Sequence, residues 1–137
     1  MTKVRRTLEL TASPDDVWKV IGGFDALGNW HPAVMACRIE EKDGKTLRVL
    51  TLGGGAQLTE ELVEDNKAGR SYSYTILNGP LPVANYKATI AVAARDGGSL
   101  VTWEGNFEPS GASEADAAGV IGGVYDAGFD SLKKKFS

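Results

Sequence analysis

A chain of 137 residues, 42% hydrophobic and 24% charged, has the makeup of one globular domain with a core of its own. The net charge is −3 and no basic stripe alternates with aromatics, which argues against nucleic-acid binding. No apolar run approaches the roughly 18 residues a membrane span needs, and the single cysteine, Cys37, excludes an intrachain disulfide and suits a reducing cytoplasm.

The first residues, MTKVRRTLEL, lack an apolar signal-type core and read as a strand instead. From Val4 to Thr11, Val4, Arg6, Leu8 and Leu10 alternate with Arg5, Thr7 and Glu9, the period-two pattern of a strand with one wet face. Ser13-Pro14-Asp15-Asp16 then opens a helix, with Ser13 as N-cap and Pro14 at the first helical position. Gly22-Gly23 ends it after about two turns. Phe24 to Pro32 is too short and interrupted for a long helix and is expected to hold a second short helix or turn.

Period two then returns. Strands are expected over Val34–Glu41, Thr46–Leu52, Ala56–Glu64, Arg70–Leu77, Val83–Ala94 and Ser99–Glu108, joined by short glycine- and asparagine-bearing turns. Ser113 to Phe136 reads as the one long helix, capped by Ser113, acidic in its first turn and ending on Lys133, Lys134 and Lys135. Its apolar stripe is Ala117, Ile121, Val124, Gly128 and Leu132, flanked by Val120 and Tyr125. Four glycines, Gly119, Gly122, Gly123 and Gly128, sit inside it. Each weakens a helix by about 1 kcal/mol relative to alanine. Either they let the helix backbone pack close on a sheet, or they leave room above the sheet for a ligand. The order of elements is α+β: an antiparallel sheet with one face to bury, and one helix long enough to cover it.

Strand parity sorts the side chains. Val101, Trp103, Gly105 and Phe107 share one face of the last strand, Tyr86, Ala88, Ile90 and Val92 one face of the strand before, and Tyr72, Tyr74 and Ile76 one face of another. Leu58, Glu60 and Leu62 form the remaining inward set, which places a carboxylate between two leucines. A buried carboxylate raises its own pKa unless it finds partners. Three readings stand: a structural carboxylate satisfied by neighbours such as Tyr72, Tyr74 and Tyr86 or snorkelling to the rim, a bulge that turns Glu60 outward, or a polar anchor or general acid/base in an apolar pocket. His31, the only histidine, lies between Trp30 and Pro32 and is a second acid/base candidate, or else a packed loop residue. No second histidine and no ligand-like spacing around Cys37 or Glu60 support a metal site, and no motif calls for a cofactor. Gly53-Gly54-Gly55 lacks the Lys-Ser/Thr of a phosphate loop and reads as a hairpin tip.

Several local patterns occur together and in order: Leu10-Thr11-Ala12-Ser13-Pro14-Asp15-Asp16-Val17-Trp18; Phe24 through Trp30-His31-Pro32; Leu58-Thr59-Glu60-Glu61-Leu62; Tyr72-Ser73-Tyr74; Asn85-Tyr86; Trp103, Phe107 and Pro109; and Tyr125, Gly128 and Leu132 in the terminal helix. In these the chain resembles, over essentially its whole length, the START-like (Bet v 1-like, SRPBCC) superfamily, and within it the bacterial polyketide cyclase/dehydrase and lipid-transport group. The resemblance implies a helix-grip fold, in which a seven-stranded antiparallel sheet wraps a long C-terminal helix around a hydrophobic cavity, with two short helices after the first strand. It implies a small hydrophobic or aromatic ligand; on the inward faces read above, the wall would include Trp30, Leu58, Leu62, Tyr72, Tyr74, Tyr86, Trp103, Val120 and Val124, with Glu60 as polar contact. The alternative is a cyclase- or dehydratase-like enzyme using Glu60 or His31. The family often carries Glu-Arg where this chain has Glu60-Glu61, so Glu60 is expected to be less tied to an arginine. Oligomeric state stays open, a homodimer included.

Overall fold

The computed structural model describes residues 1–137 as one seven-stranded antiparallel sheet and three helices. In chain order they are β1 (Thr2–Leu10), α1 (Pro14–Ile21), α2 (Leu27–Trp30), β2 (Val34–Lys42), β3 (Lys45–Leu52), β4 (Gln57–Asn66), β5 (Ser71–Asn78), β6 (Val83–Arg95), β7 (Gly98–Pro109) and α3 (Glu114–Lys135). The helix-grip expectation is met, with strand ends shifted by one or two residues.

The spatial order is β1-β7-β6-β5-β4-β3-β2. Strand β1 therefore lies at one edge, and α1 and α2 carry the chain across to β2 at the other. Five hairpin connections then return it to β1. In the β2–β3 turn Asp43 and Gly44 both take positive φ, 52° and 77°, the conformation that matches the twist of a tight hairpin. Ser13 and Ser113 cap α1 and α3 by accepting from the backbone N–H of Asp16 and Asp116.

Helix α3 packs on β1 and β7. Its buried residues are Ala117, Ile121, Gly122, Tyr125, Gly128, Phe129 and Leu132. Tyr125 and Phe129 thus belong to the inner arc of the helix, which moves the centre of that arc away from Val120. Val120 is 41% exposed. The four glycines divide. A Cβ on Gly128 would meet His31, Trp30 and Trp103, and one on Gly122 would meet Arg6 and Val4, so these two allow close packing. Gly119 and Gly123 face open space and stand opposite nothing.

The inward sets of β5, β6 and β7 are buried as parity requires, from Tyr72 and Tyr74 through Tyr86, Ala88, Ile90 and Val92 to Val101, Trp103 and Phe107. In β4, register shifts between Thr59 and Glu60 and between Leu62 and Glu64 interrupt the ladder. They do not turn Glu60 out: it is 4% exposed.

Candidate ligand pocket

Between the sheet and α3 lies a pocket of about 90 Å³. Its deep wall is made by buried Leu50 (β3), Leu58 and Glu60 (β4), Tyr74 (β5), Tyr86 (β6), Trp103 (β7) and Ile121 (α3), with Leu27, His31 and Val34 closing the side. The mouth is apolar and only partly covered: Ala33 after α2, Leu52 at the end of β3, Ile76 on β5, Leu81 in the β5–β6 connection and Val124 on α3.

Of the residues expected to wall a ligand, Leu58, Glu60, Tyr74, Tyr86, Trp103 and Val124 line this pocket, together with His31. Trp30, Leu62, Tyr72 and Val120 do not. Trp30 lies behind the lining, packed on Trp103 with ring centroids 5.7 Å apart and against the surface of Gly128. Leu62 sits at the bulged, half-buried part of β4. Tyr72 is turned toward Phe24 and Arg48, and Val120 faces outward.

The group that sequence reasoning missed is Arg48, which is completely buried. Its Nε–H donates to Glu60 Oε1 at 2.7 Å, and Nη1 donates to the Phe24 carbonyl at 3.0 Å and to the Tyr72 hydroxyl at 3.1 Å. Glu60 is thus tied to an arginine after all, supplied by the neighbouring strand and not by the next residue. The tyrosines do not hold the carboxylate; the guanidinium does. Nη2 has no hydrogen-bond partner. The ring faces of Phe24, Tyr74 and Tyr72 surround the cation instead, with centroids 4.2, 4.8 and 5.5 Å from Cζ. The signal was present in the hairpin: a turn folded about Gly54 sets Arg48 directly across from Glu60.

Burial pushes the Glu60 carboxyl up, and the Arg48 charge and hydrogen bond pull it back. Burial likewise works against the Arg48 cation, but Tyr72, Glu60 and Tyr74 beside it outweigh that and hold its pKa above the ordinary arginine range. The guanidinium stays charged, and Nε at 2.7 Å from Oε1 gives the pair salt-bridge geometry. No protein donor reaches Glu60 Oε2, while Oε1 is taken.

His31 is 3% exposed and both of its ring nitrogens are committed. Nε2 lies 2.7 Å from the Val124 carbonyl, to which it donates, and Nδ1 accepts from the Ala33 N–H at 3.1 Å. That pairing defines the neutral tautomer with the proton on Nε2. Burial lowers its pKa, the Val124 bond opposes this, and the Arg48 charge adds to the lowering. Both ring nitrogens are thus taken up within the protein, the arrangement of the packed loop histidine that was the other reading of His31.

Beside Glu60 runs a chain of hydroxyls. Trp103 Nε1–H donates to Tyr74 Oη at 3.0 Å, Tyr74 Oη lies 3.3 Å from Tyr86 Oη, and Tyr86 is bonded in turn to Tyr125. Burial raises the pKa of all three tyrosines, so each stays protonated at neutral pH. Gly105 leaves the space into which the Tyr125 hydroxyl projects.

A family model described as polyketide cyclase / dehydrase and lipid transport matches residues 1–137. The chain belongs to this family. Solved structures similar to it include XoxI from Bacillus cereus, 35% identical over 99% of this chain and 96% of that one, with a TM-score of 0.93. An uncharacterised protein from Bacillus thuringiensis is 34% identical over 98% of both chains, with a TM-score of 0.91. Ara h 8.0201, at 18% identity and a TM-score of 0.78, shares the fold. In sequence, MLP-like protein 423 from Arabidopsis thaliana is 37% identical over 82 residues, 56% of this chain and 52% of that protein, so the match spans about half the length of that relative. No helix of the chain is long and apolar enough to cross a membrane.

Proposed function

We propose that this protein binds a small hydrophobic or aromatic molecule between the sheet and α3. The observation that carries this reading is the pocket itself: 13 of its 15 lining residues are hydrophobic, it opens through an apolar mouth, and a few polar groups converge at its deep end. Membership of a family described by lipid transport supports the same class of ligand. At about 90 Å³ the pocket is smaller than a dry cavity of roughly 150 Å³ that holds benzene. A ligand larger than a few heavy atoms therefore keeps part of its body in the mouth, or displaces the half-buried side chains of Ile76, Leu81 and Val124.

Acid–base catalysis has less to stand on. His31 has no free nitrogen, and Glu60 shares its charge with Arg48.

Titration of the protein with toluene, followed by amide chemical shifts, tests the binding reading. Shifts are expected to cluster on β3, β4, β5 and the middle of α3. In Leu81→Trp, which places an indole across the mouth, affinity is expected to fall at least tenfold. Shifts that map to another surface, or a Leu81→Trp variant that binds as before, would sink the assignment.

A further inference from the structure

The sheet has two edges, and they differ. At one edge β1 carries α3 along it, and Arg6 reaches over to Asp126 of that helix at 3.0 Å. At the other edge β2 pairs only with β3, and the short α2 meets it through Gly28 at Val34 and Cys37. Beyond that contact the strand is open: Arg38, Ile39, Glu41 and Lys42 are exposed and Glu40 is half-buried. An open edge offers its unpaired backbone N–H and C=O groups to another chain, and charges are the usual protection. Here the charges are complementary to a second copy of themselves.

The ladder to β3 runs without interruption from Ala36 to Lys42, after an irregularity between Val34 and Ala36. When two copies of a strand pair antiparallel about a two-fold axis, one residue lies opposite its own copy, and opposed residues share a face. With the axis at Ile39, Arg38 of each copy lies opposite Glu40 of the other. Arg38 already pairs with Glu40 in its own strand, Nη2 to Oε2 at 2.6 Å, so the four charges alternate around the axis. On the other face the exposed Ile39 meets its copy. The neighbouring registers fail. An axis at Arg38 opposes the two arginines, and one at Glu40 opposes the two glutamates and sets Arg38 against Lys42; like charges directly opposite destabilise a strand pair. An axis at Cys37 engages only Ala36 to Arg38 of the regular ladder.

We propose that the β2 edge is an interface between two copies of this chain, paired antiparallel about Ile39, which joins two seven-stranded sheets into one. No residue from Ala36 to Lys42 lines the pocket, so the interface stands apart from the ligand reading. A single strand pair is small beside the roughly 1,600 Å² of a standard interface, so the dimer is a concentration-dependent one.

Sedimentation velocity over a concentration series tests it. Wild-type protein is expected to pass from monomer to dimer between micromolar and millimolar concentration. Arg38→Glu and Glu40→Arg each oppose like charges across the axis, and each is expected to raise the dimer Kd at least tenfold. The double variant Arg38→Glu with Glu40→Arg restores the alternation and is expected to return to within about threefold of wild type. Oxidation with copper phenanthroline reads the register. In Ile39→Cys with Cys37→Ser an interchain disulfide is expected, since opposed residues have Cα atoms about 4.5–5.5 Å apart. Wild-type Cys37, opposed to Glu41 and roughly 14 Å along the strand from its copy, is expected to stay unlinked. A chain that is monomeric at millimolar concentration, charge reversals that leave the dimer unchanged, a double variant that fails to restore it, or a link through Cys37 and none through Ile39→Cys overturns the proposal.

Discussion

Arg48 and Glu60 meet because a hairpin aligns them and because both are on the face that the helix covers. Neither could be buried alone, since removing one partner of a buried pair leaves the other charge uncompensated. Arg48→Met is expected to destabilise the fold by about 3–5 kcal/mol in urea unfolding, and Arg48→Met with Glu60→Leu to recover most of that loss. A single variant within about 1 kcal/mol of wild type would contradict an ionised, buried pair. His31 makes a pH prediction. Its folded-state pKa lies below the ordinary value of 6.5, so the neutral ring stabilises the fold above that pH, and the contribution is lost as pH falls from 6.5 through the lowered folded value. The raised carboxyl of Glu60 slopes the other way, favouring the fold at lower pH and losing that advantage as pH rises through its folded value. The informative quantity is therefore the difference between wild type and His31→Gln. Unfolding free energies measured from pH 7.5 down to 5 should show wild type losing stability relative to the variant. Parallel curves would mean that the His31 ring is not held neutral.

At the scale of the element, α3 shows why a glycine count cannot be read as one effect. Gly119 and Gly123 meet no atom within 4 Å of a built Cβ, so alanine there should raise stability by about 0.5–1 kcal/mol through helix propensity. At Gly128 the same Cβ would lie 2.9 Å from His31 Cδ2 and from Trp30, and 3.1 Å from Trp103. Those rings are wedged in the core, so Gly128→Ala should destabilise by about 1–3 kcal/mol despite the better propensity. Thermal melts of the three single variants would rank them, and a stabilising Gly128→Ala would show that the rings can retreat. The strands were more legible than the helix. A strand's period of two leaves only two faces to choose between, and apolar content decides. A helix can be rotated by a fraction of a turn without breaking its pattern. That freedom lets the sequence pattern put Val120 inside and leave Phe129 out, although Phe129 follows Tyr125 by four residues on the same face.

For the whole molecule, the order of elements, the single sheet, the covering helix and the caps at Ser13 and Ser113 were all present in local patterns, because propensity, turn chemistry and periodicity act over a few residues. So were six members of the pocket wall, since alternation alone points Leu58, Glu60, Tyr74, Tyr86 and Trp103 inward and helical spacing does the same for Val124. What the sequence by itself determined was therefore a helix-grip fold with a carboxylate and tyrosines on its concave face. Only the tertiary structure decided what those groups do to one another. Arg48 pairs with Glu60 across a strand pair, Val124 and Ala33 take both nitrogens of His31 from segments far apart in the chain, and Trp103 donates into a chain of three hydrogen-bonded tyrosines. Charge pairing and hydrogen bonding depend on separations of a few tenths of an ångström between side chains. Those separations are set by sheet register and helix rotation, which no single stretch of sequence contains.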